Sequence, residues 1–200
     1  MSYPYHDKRI ENFIALCEIF CFTPSEEFQK WLVNNGFFTA PASTKYHGAY
    51  EGGLYDHSKA VTNRLIELTH DNNLEWQRPE SPLIVGMFHD LCKCDQYTKV
   101  ITQDKYLDEM TGNKHLPIIT YEYNTNTLLK GHGSKSVMLL SQFINLTEEE
   151  MLCIRFHMGA YGNEQEQKDE WKAFDQAVRK YETVLWTHQA DQLASKIDEV

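Results

Sequence analysis

Apolar residues recur at helical spacing along most of this 200-residue chain, and this periodicity restricts the fold more than any other feature. Start and stop signals bound several segments: Ser25 is a good N-cap, and Asn35-Gly36 is a typical helix end. The predicted helices are two within residues 8–35, one at about 54–69, one starting at Ser81-Pro82, one from Thr147 to Gly159, and one at about 181–197. The sequence therefore predicts a mainly α-helical fold.

The stretch 97–129 departs from the helical pattern. Thr, Tyr, Ile and Val are enriched there, and residues 118–123 have a composition typical of a β-strand. This stretch is predicted to be one small β-hairpin inserted into the helical fold. It is long enough to act as a lid or as a contact in a homo-oligomer. Tyr106, Tyr121 and Tyr123 could stack on a base or pack against the helices.

Length and charge limit the domain count and the class of ligand. With 42% hydrophobic residues, the chain fits a single domain over 1–200, with a core at about 45–197. A formal net charge of -10 disfavours nonspecific binding of nucleic acid, but a bound metal ion would still allow a small anionic substrate. An odd number of cysteines and the lack of a long apolar run predict a reduced, cytoplasmic protein without a membrane partner.

Two ionisable residues, His89 and Asp90, stand side by side in the apolar segment LIVGMFHDLC. Such a pair in a buried helix needs a compensating partner, and a metal ion is one. Imidazole and carboxylate together suit zinc, iron, manganese or nickel rather than calcium. If the doublet stood alone, a core histidine beside a capping aspartate would be a sufficient explanation. His57 on the preceding helix and Asp191 among apolar neighbours on the last helix favour a metal site.

Five sequence blocks, taken in order, resemble the HD superfamily of metal-dependent phosphohydrolases. The blocks are KYHGAYEGGLYDH ending at His57, MFHDLCK ending at Lys93, GHGSKSV from Gly131, IRFHMG ending at Gly159, and LWTHQADQLASK ending at Lys196. They are similar to the HD domain of bacterial 3′–5′ exoribonucleases and to stand-alone, phage-encoded HD hydrolases. The resemblance extends from about residue 45 to 196 and implies an HD-domain helical bundle.

The same resemblance implies the metal ligands. The cofactor would be one or two divalent ions of Mn, Fe, Ni, Co, Zn or Mg. One ion would be held by His57, His89, Asp90 and Asp191. A second ion would add His132 and His157, with Asp90 as the bridge between the two. The physical argument agrees, because two cations about 3.5 to 4 Å apart need an anion between them.

Further residues are candidates for the surroundings of this site. Lys93 matches the lysine of the family's HD-x-x-K block and is expected to contact a substrate phosphate during catalysis, although a solvated lysine at a helix end would fit as well. His47 could bind substrate from its loop. Arg155 is either a phosphate clamp or an exposed helix charge. His188 shares a helical face with Asp191 and could orient that carboxylate.

The remaining histidines and two cysteines are assigned no role in the chemistry. His6, His70 and His115 lie in polar segments and are predicted to be surface residues. Cys92 and Cys94 are interpreted as small residues at a helix end.

The resemblance implies hydrolysis of a phosphate ester by metal-activated water. The expected substrate is a small anion, a nucleotide or the end of a short oligonucleotide, since no basic, aromatic-rich face for longer RNA is apparent. Two alternatives stay open. Di-iron oxygenases of the HD type, such as inositol oxygenase, use the same ligand order. The other is a nucleotide-binding module with a vestigial metal site, although a decayed site is expected to have lost at least one of the six ligand positions, all of which are filled here.

Overall fold

The computed structural model describes residues 4–103, 109–112, 117–129, 131–160 and 164–200, and the side chains of 4–7 and 164–167 are not among the described features. The α-helices are α1 (Pro4–Ile19), α2 (Glu26–Asn34), α3 (Gly53–Asn72), α4 (Ser81–Phe88), α5 (Gly133–Leu140), α6 (Glu148–Arg155), α7 (Glu164–Lys180) and α8 (Thr183–Lys196). A 3₁₀ helix covers Leu91–Cys94, and the strands are β1 (Tyr97–Thr102) and β2 (Ile118–Tyr123). The predicted mainly α-helical fold with one small hairpin is confirmed.

Local capping signals bound two of the helices as predicted. Ser25 Oγ accepts a hydrogen bond from Phe28 N at 3.2 Å and caps α2, and Gly36 adopts the left-handed conformation (φ +82°) just beyond its end. At the start of α6, Thr147 Oγ1 accepts from Glu150 N while the Glu150 carboxylate accepts from Thr147 N, which is a capping box. These ends follow from short-range chemistry, so the sequence alone is sufficient to locate them.

Helix α4 differs from its prediction at both ends. Ser81 is its first residue rather than its N-cap, because the Ser81 hydroxyl donates to the carboxylate of Glu150 instead of capping the helix. The helix ends at Phe88, so His89 and Asp90 lie in a turn before the 3₁₀ helix rather than inside a continuous helix. Asp90 occupies the N-cap position of the 3₁₀ helix, with φ -105° and ψ 21°.

Helices α5 and α7 were not predicted. Helix α7 is mostly polar, and its buried apolar residues reduce to a short stripe that includes Phe174 and Ala177. Helix α5 is only eight residues long, too short for periodicity to separate it from a loop. Helix α6 also ends earlier than predicted, at Arg155, which leaves His157 in the following turn.

The two strands pair antiparallel in a single register, from Tyr97 opposite Tyr123 to Thr102 opposite Ile118. Predictions for Tyr106 and His115 lie outside the described residues, as does the side chain of His6. Among the described helices, none has both the length and the hydropathy needed to cross a membrane.

Helix α3 packs against both α4 and α8, and this packing positions the buried histidines. A Cβ atom on Gly86 would lie 2.6 Å from Thr62 Cα, a distance that atoms do not tolerate. The missing side chain at Gly86 therefore lets α4 approach the backbone of α3 directly. This close approach brings His57 on α3 near His89, at the end of α4.

Candidate metal centre

The structure brings together the six side chains for which metal binding was predicted. They come from five separate parts of the fold: His57 in α3, His89 and Asp90 after α4, His132 before α5, His157 after α6, and Asp191 in α8. All are buried except His132, which is partly exposed. Their ligand atoms form overlapping groups of three, such as His57, His89 and Asp191, within 4.8 Å of one another.

Asp90 lies at the centre of this cluster and faces two sets of partners. Its Oδ2 is 3.3 Å from His89 Nε2 and 3.6 Å from His57 Nε2. Its Oδ1 is 2.9 Å from His132 Nε2 and 3.4 Å from His157 Nε2. We call the first set, completed by Asp191, the inner half, and the second set the outer half. One carboxylate therefore belongs to both halves.

Asp191 completes the inner half from α8. Its Oδ1 lies 3.1 Å from His57 Nε2 and 3.8 Å from His89 Nε2. The two histidines bring their Nε2 atoms within 3.3 Å of each other. Two imidazole nitrogens and carboxylate oxygens thus meet in a small, largely buried volume.

Three buried histidines share one tautomer, which their backbone contacts determine. The Nδ1 atoms of His57, His89 and His157 lie 2.7–2.8 Å from the main-chain oxygens of Val200, Gly86 and Ile154, respectively. These oxygens only accept hydrogen bonds, so each Nδ1 carries the hydrogen. In a neutral ring the lone pair is then on Nε2, the atom that points into the cluster. This is the arrangement in which histidines bind metal ions.

The nitrogen and oxygen atoms of the cluster are better placed to bind a metal ion than to form hydrogen bonds with one another. Among the described residues, neither Asp90 Oδ1 nor His157 Nε2 has a hydrogen-bond partner, and the 2.9 Å approach of His132 to Asp90 lacks hydrogen-bond geometry. Each buried, unsatisfied acceptor costs about 1–3 kcal/mol. Burial lowers the pKa of His89, which keeps a second proton off its ring. A divalent cation would satisfy all these lone pairs at once.

Both carboxylates of the cluster are ionised. Burial by itself would raise the pKa of Asp90, but Lys93 and His89 outweigh burial and hold that pKa well below its usual range. Burial likewise opposes ionisation of Asp191, whose pKa is lowered nonetheless by its contact with His57 and by the other histidines. Two anions in a buried cluster of histidines attract cations, and the described His/Asp side chains can hold a metal ion.

Lys93 is not a solvated helix-end lysine, so that alternative is wrong. It is 7% exposed, and its Nζ lies 2.6 Å from Asp90 Oδ2. The 3₁₀ geometry of the segment brings residues three apart onto one side, which joins the two charges. Burial would lower the pKa of Lys93, but the Asp90 carboxylate raises it above its usual value. Lys93 therefore remains a cation beside the buried carboxylate.

Replacing Lys93 by methionine is expected to raise the affinity of the centre for Mn²⁺ or Zn²⁺ at least about tenfold. The lysine ammonium competes for Asp90 Oδ2 and repels an incoming cation, whereas methionine keeps the length of the side chain without its charge. Affinity is measured by competition with a chromogenic chelator. The exposed pair of Lys30 with Glu26 supplies the control, Lys30→Met, which should change nothing. Equal affinities for Lys93→Met and wild type would contradict the prediction.

Two further predicted residues lie in the wall of the site. The His47 ring is 4.8 Å from the His57 ring. Burial, with the nearby His57, lowers the pKa of His47 to about 4, so the ring is neutral at physiological pH. Arg155 makes a two-pronged ion pair with Glu170, at 2.7 and 3.1 Å. A phosphate that approached Arg155 would have to share the guanidinium with that carboxylate.

His188 acts on a different ligand from the one predicted. Its Nδ1 donates to the main-chain carbonyl of His157 at 2.7 Å and so supports the turn that carries that residue. The expectation that it orients the Asp191 carboxylate is not what the hydrogen bonding shows. His70, by contrast, is exposed at the end of α3, as predicted.

Cys92 is a residue whose part in the site was missed. Its sulfur lies 3.4 Å from His132 Nδ1, and its thiol donates to Gln96 Oε1. In the three fully buried histidines of the cluster, a main-chain oxygen takes the place of this sulfur beside Nδ1. Cys92 is therefore more than a small residue at a helix end, because it orients the His132 ring. Its position two residues after Asp90 is the only signal in the sequence, and that spacing is too common to predict the contact.

The cluster forms the floor of a cavity of about 700 Å³. Asp90, His132, His157 and Asp191 line the cavity, whereas His57 and His89 are fully buried behind them. The cations Lys93, Arg155 and Lys196 line the same cavity. A ligand of small-molecule size could therefore reach the outer half directly.

Comparisons with protein-family models, with curated proteins and with solved structures find no match for this chain. The metal-binding interpretation therefore rests on the geometry of the His/Asp cluster, which resembles the arrangement in HD domains.

Proposed function

We propose that the protein is a metal-dependent phosphohydrolase that cleaves a phosphate ester of a nucleotide or of a short oligonucleotide end. The observation that carries the proposal is the meeting of imidazole lone pairs and two ionised carboxylates at the floor of an open cavity, next to a buried lysine. Divalent ions bound there would lower the pKa of a water molecule to roughly 7 and offset negative charge on a phosphoryl group.

The residues of the cluster and Lys93 would have different roles in this reaction. The inner half would hold one ion through His57, His89, Asp191 and Asp90 Oδ2. The outer half, which lines the cavity, would hold a second ion through His132, His157 and Asp90 Oδ1. Hydrolysis joins a water oxygen to phosphorus as the ester oxygen leaves with a proton. The ammonium of Lys93 would stabilise charge on the phosphoryl oxygens during this exchange.

Charge and size favour a small substrate. The chain carries a net charge of -10, but three cationic side chains balance the three carboxylates that line the cavity, so bound divalent ions would make its local potential positive. A volume of about 700 Å³ lies within the range of small-ligand pockets. A mononucleotide, a cyclic nucleotide or one oligonucleotide end fits these conditions.

The test combines elemental analysis of the purified protein with a hydrolysis screen over nucleoside monophosphates, cyclic nucleotides and dinucleotides, with and without added Mn²⁺. We expect bound divalent metal and phosphate-ester cleavage that a chelator abolishes. His57→Gln should lose most activity. His70→Gln, an exposed histidine on the same helix α3, should retain it.

Other outcomes would favour the alternatives. Bound iron, oxygen consumption and no ester cleavage would replace the proposal with a di-iron oxygenase of the HD type. Nucleotide binding with neither metal nor turnover would indicate a binding module with a vestigial site.

A further inference from the structure

One face of the hairpin carries an unusual number of tyrosines. Side chains alternate between the two faces of a strand, and the register places Tyr97 opposite Tyr123 and Lys99 opposite Tyr121. Three tyrosines and one lysine therefore share a face. The opposite face carries mainly threonine and β-branched side chains, so the aromatic residues are segregated on one side.

The end of the hairpin that carries Tyr97 and Tyr123 lies next to the candidate metal centre and is held there by hydrogen bonds to the segment that follows Lys93. Tyr97 follows Lys93 by four residues, and both line the same cavity. Asn124 closes the hairpin base by donating its backbone N–H to Gln96 O and its side-chain amide to Asp95 O, each at 2.9 Å. The tyrosine pair is thus held at a set position relative to Lys93.

Tyr123 is open to the cavity, whereas its neighbour on the same face is not. Tyr123 is 66% exposed and lines the cavity, and its ring centre is 5.3 Å from that of Tyr97. Tyr121, two residues earlier, is only 7% exposed. Packing accounts for Tyr121, but it leaves a large aromatic surface of Tyr123 in contact with solvent.

A second wall faces the cavity from the loop at residues 40–53. Tyr46 in this loop is 82% exposed and also lines the cavity. The loop and the hairpin are joined by an ion pair between Lys99 Nζ and Glu51 Oε2 at 2.8 Å. The cavity therefore has exposed aromatic side chains on two walls and, at its floor, the candidate metal centre with Lys93 beside it.

We propose that Tyr123, supported by the tilted ring of Tyr97 packed against it, forms an aromatic subsite that stacks on the planar base of a nucleotide whose phosphate lies at Lys93 and the outer half. The phosphate position rests on the proposed function. Stacking on tyrosine tolerates any base, because every base has a π-face, so the subsite selects for a planar aromatic group rather than for one sequence. The hairpin is then the element that distinguishes nucleotides from sugar phosphates.

The experiment uses metal-loaded, full-length protein and two ligands that cannot be hydrolysed. These are the methylenephosphonate analogues of adenosine 5′-monophosphate and of ribose 5-phosphate, in which carbon replaces the ester oxygen. Dissociation constants are measured by calorimetry. The double variant Tyr97→Ala/Tyr123→Ala should bind the adenosine analogue roughly ten- to a hundredfold more weakly. Its affinity for the ribose analogue should stay within about twofold of wild type, since that ligand lacks a base.

Two controls separate stacking from structural damage. Tyr97→Phe/Tyr123→Phe keeps both rings and should retain affinity for the adenosine analogue. Ile101→Ala, at the far end of the same hairpin face, should behave as wild type. Equal losses for both ligands in the alanine variant, or no loss for the adenosine analogue, would overturn the subsite. If wild type prefers the adenosine analogue but cleaves no ester, the proposed function fails while the subsite stands.

Discussion

Replacing Asp90 by asparagine is expected to lower kcat/KM for metal-dependent hydrolysis at least about 10³-fold, because a metal ion contributes several kcal/mol to stabilising the transition state. Asparagine preserves the size of the side chain, but it has no charge and only one oxygen. The inner and outer halves would then no longer share an anion. The measurements are initial rates and the metal content after gel filtration, which should fall by at least one ion per chain relative to wild type.

The matched control for this variant is Asp71→Asn. Asp71 is an exposed aspartate near the end of α3 whose only described ionic neighbour is His70. Its substitution should leave both metal content and rate unchanged. Unaltered metal content in Asp90→Asn would contradict the central position that the geometry assigns to this carboxylate.

Replacing Arg78 by alanine is expected to lower the free energy of unfolding by about 3–5 kcal/mol, since it leaves a buried carboxylate without its counter-ion. Glu150 is fully buried and accepts two hydrogen bonds from the Arg78 guanidinium, at 2.8 and 2.7 Å. It also accepts from the Ser81 hydroxyl and from Thr147 N. The network joins the start of α4 to the start of α6, and urea unfolding of the metal-free protein measures its loss.

The control for this prediction is Arg179→Ala. Arg179 pairs with Asp175 one helical turn earlier, and both side chains are exposed, so water replaces the lost contact. The midpoint of unfolding should therefore barely move. A similar, small effect for Arg78→Ala would contradict the prediction.

Much of the site could be predicted because local chemistry reveals it. An ionisable doublet, His89-Asp90, at the end of an apolar helix is costly without a partner, and this cost is visible in the sequence. Helix periodicity and capping signals likewise depend on residues within a few positions of one another. These local features sufficed for the mainly helical fold, the hairpin and the His89-Asp90 doublet, whereas the full set of six side chains followed from the resemblance to the HD superfamily.

Contacts between residues far apart in the chain could not be predicted from the sequence, since they depend on how the helices cross. Lys93 has the same neighbours in the sequence whether it points to water or to Asp90, and only the turn after α4 decides between them. His188 contacts the carbonyl of His157, 31 residues away. Helix α7 was not predicted, because its core-facing residues Phe174, Ala177 and Val178 form only a narrow apolar stripe on an otherwise polar helix.

The sequence by itself determined which residue types are present and, through capping signals, both ends of α2 and the start of α6, because these signals depend on neighbours along the chain. The tertiary structure alone decided that one carboxylate, Asp90, faces two groups of histidines, that Lys93 is buried against it, and that Tyr97 and Tyr123 line the same cavity. The physical reason is the close approach of α3, α4 and α8. Their packing converts widely separated positions into a single buried cluster.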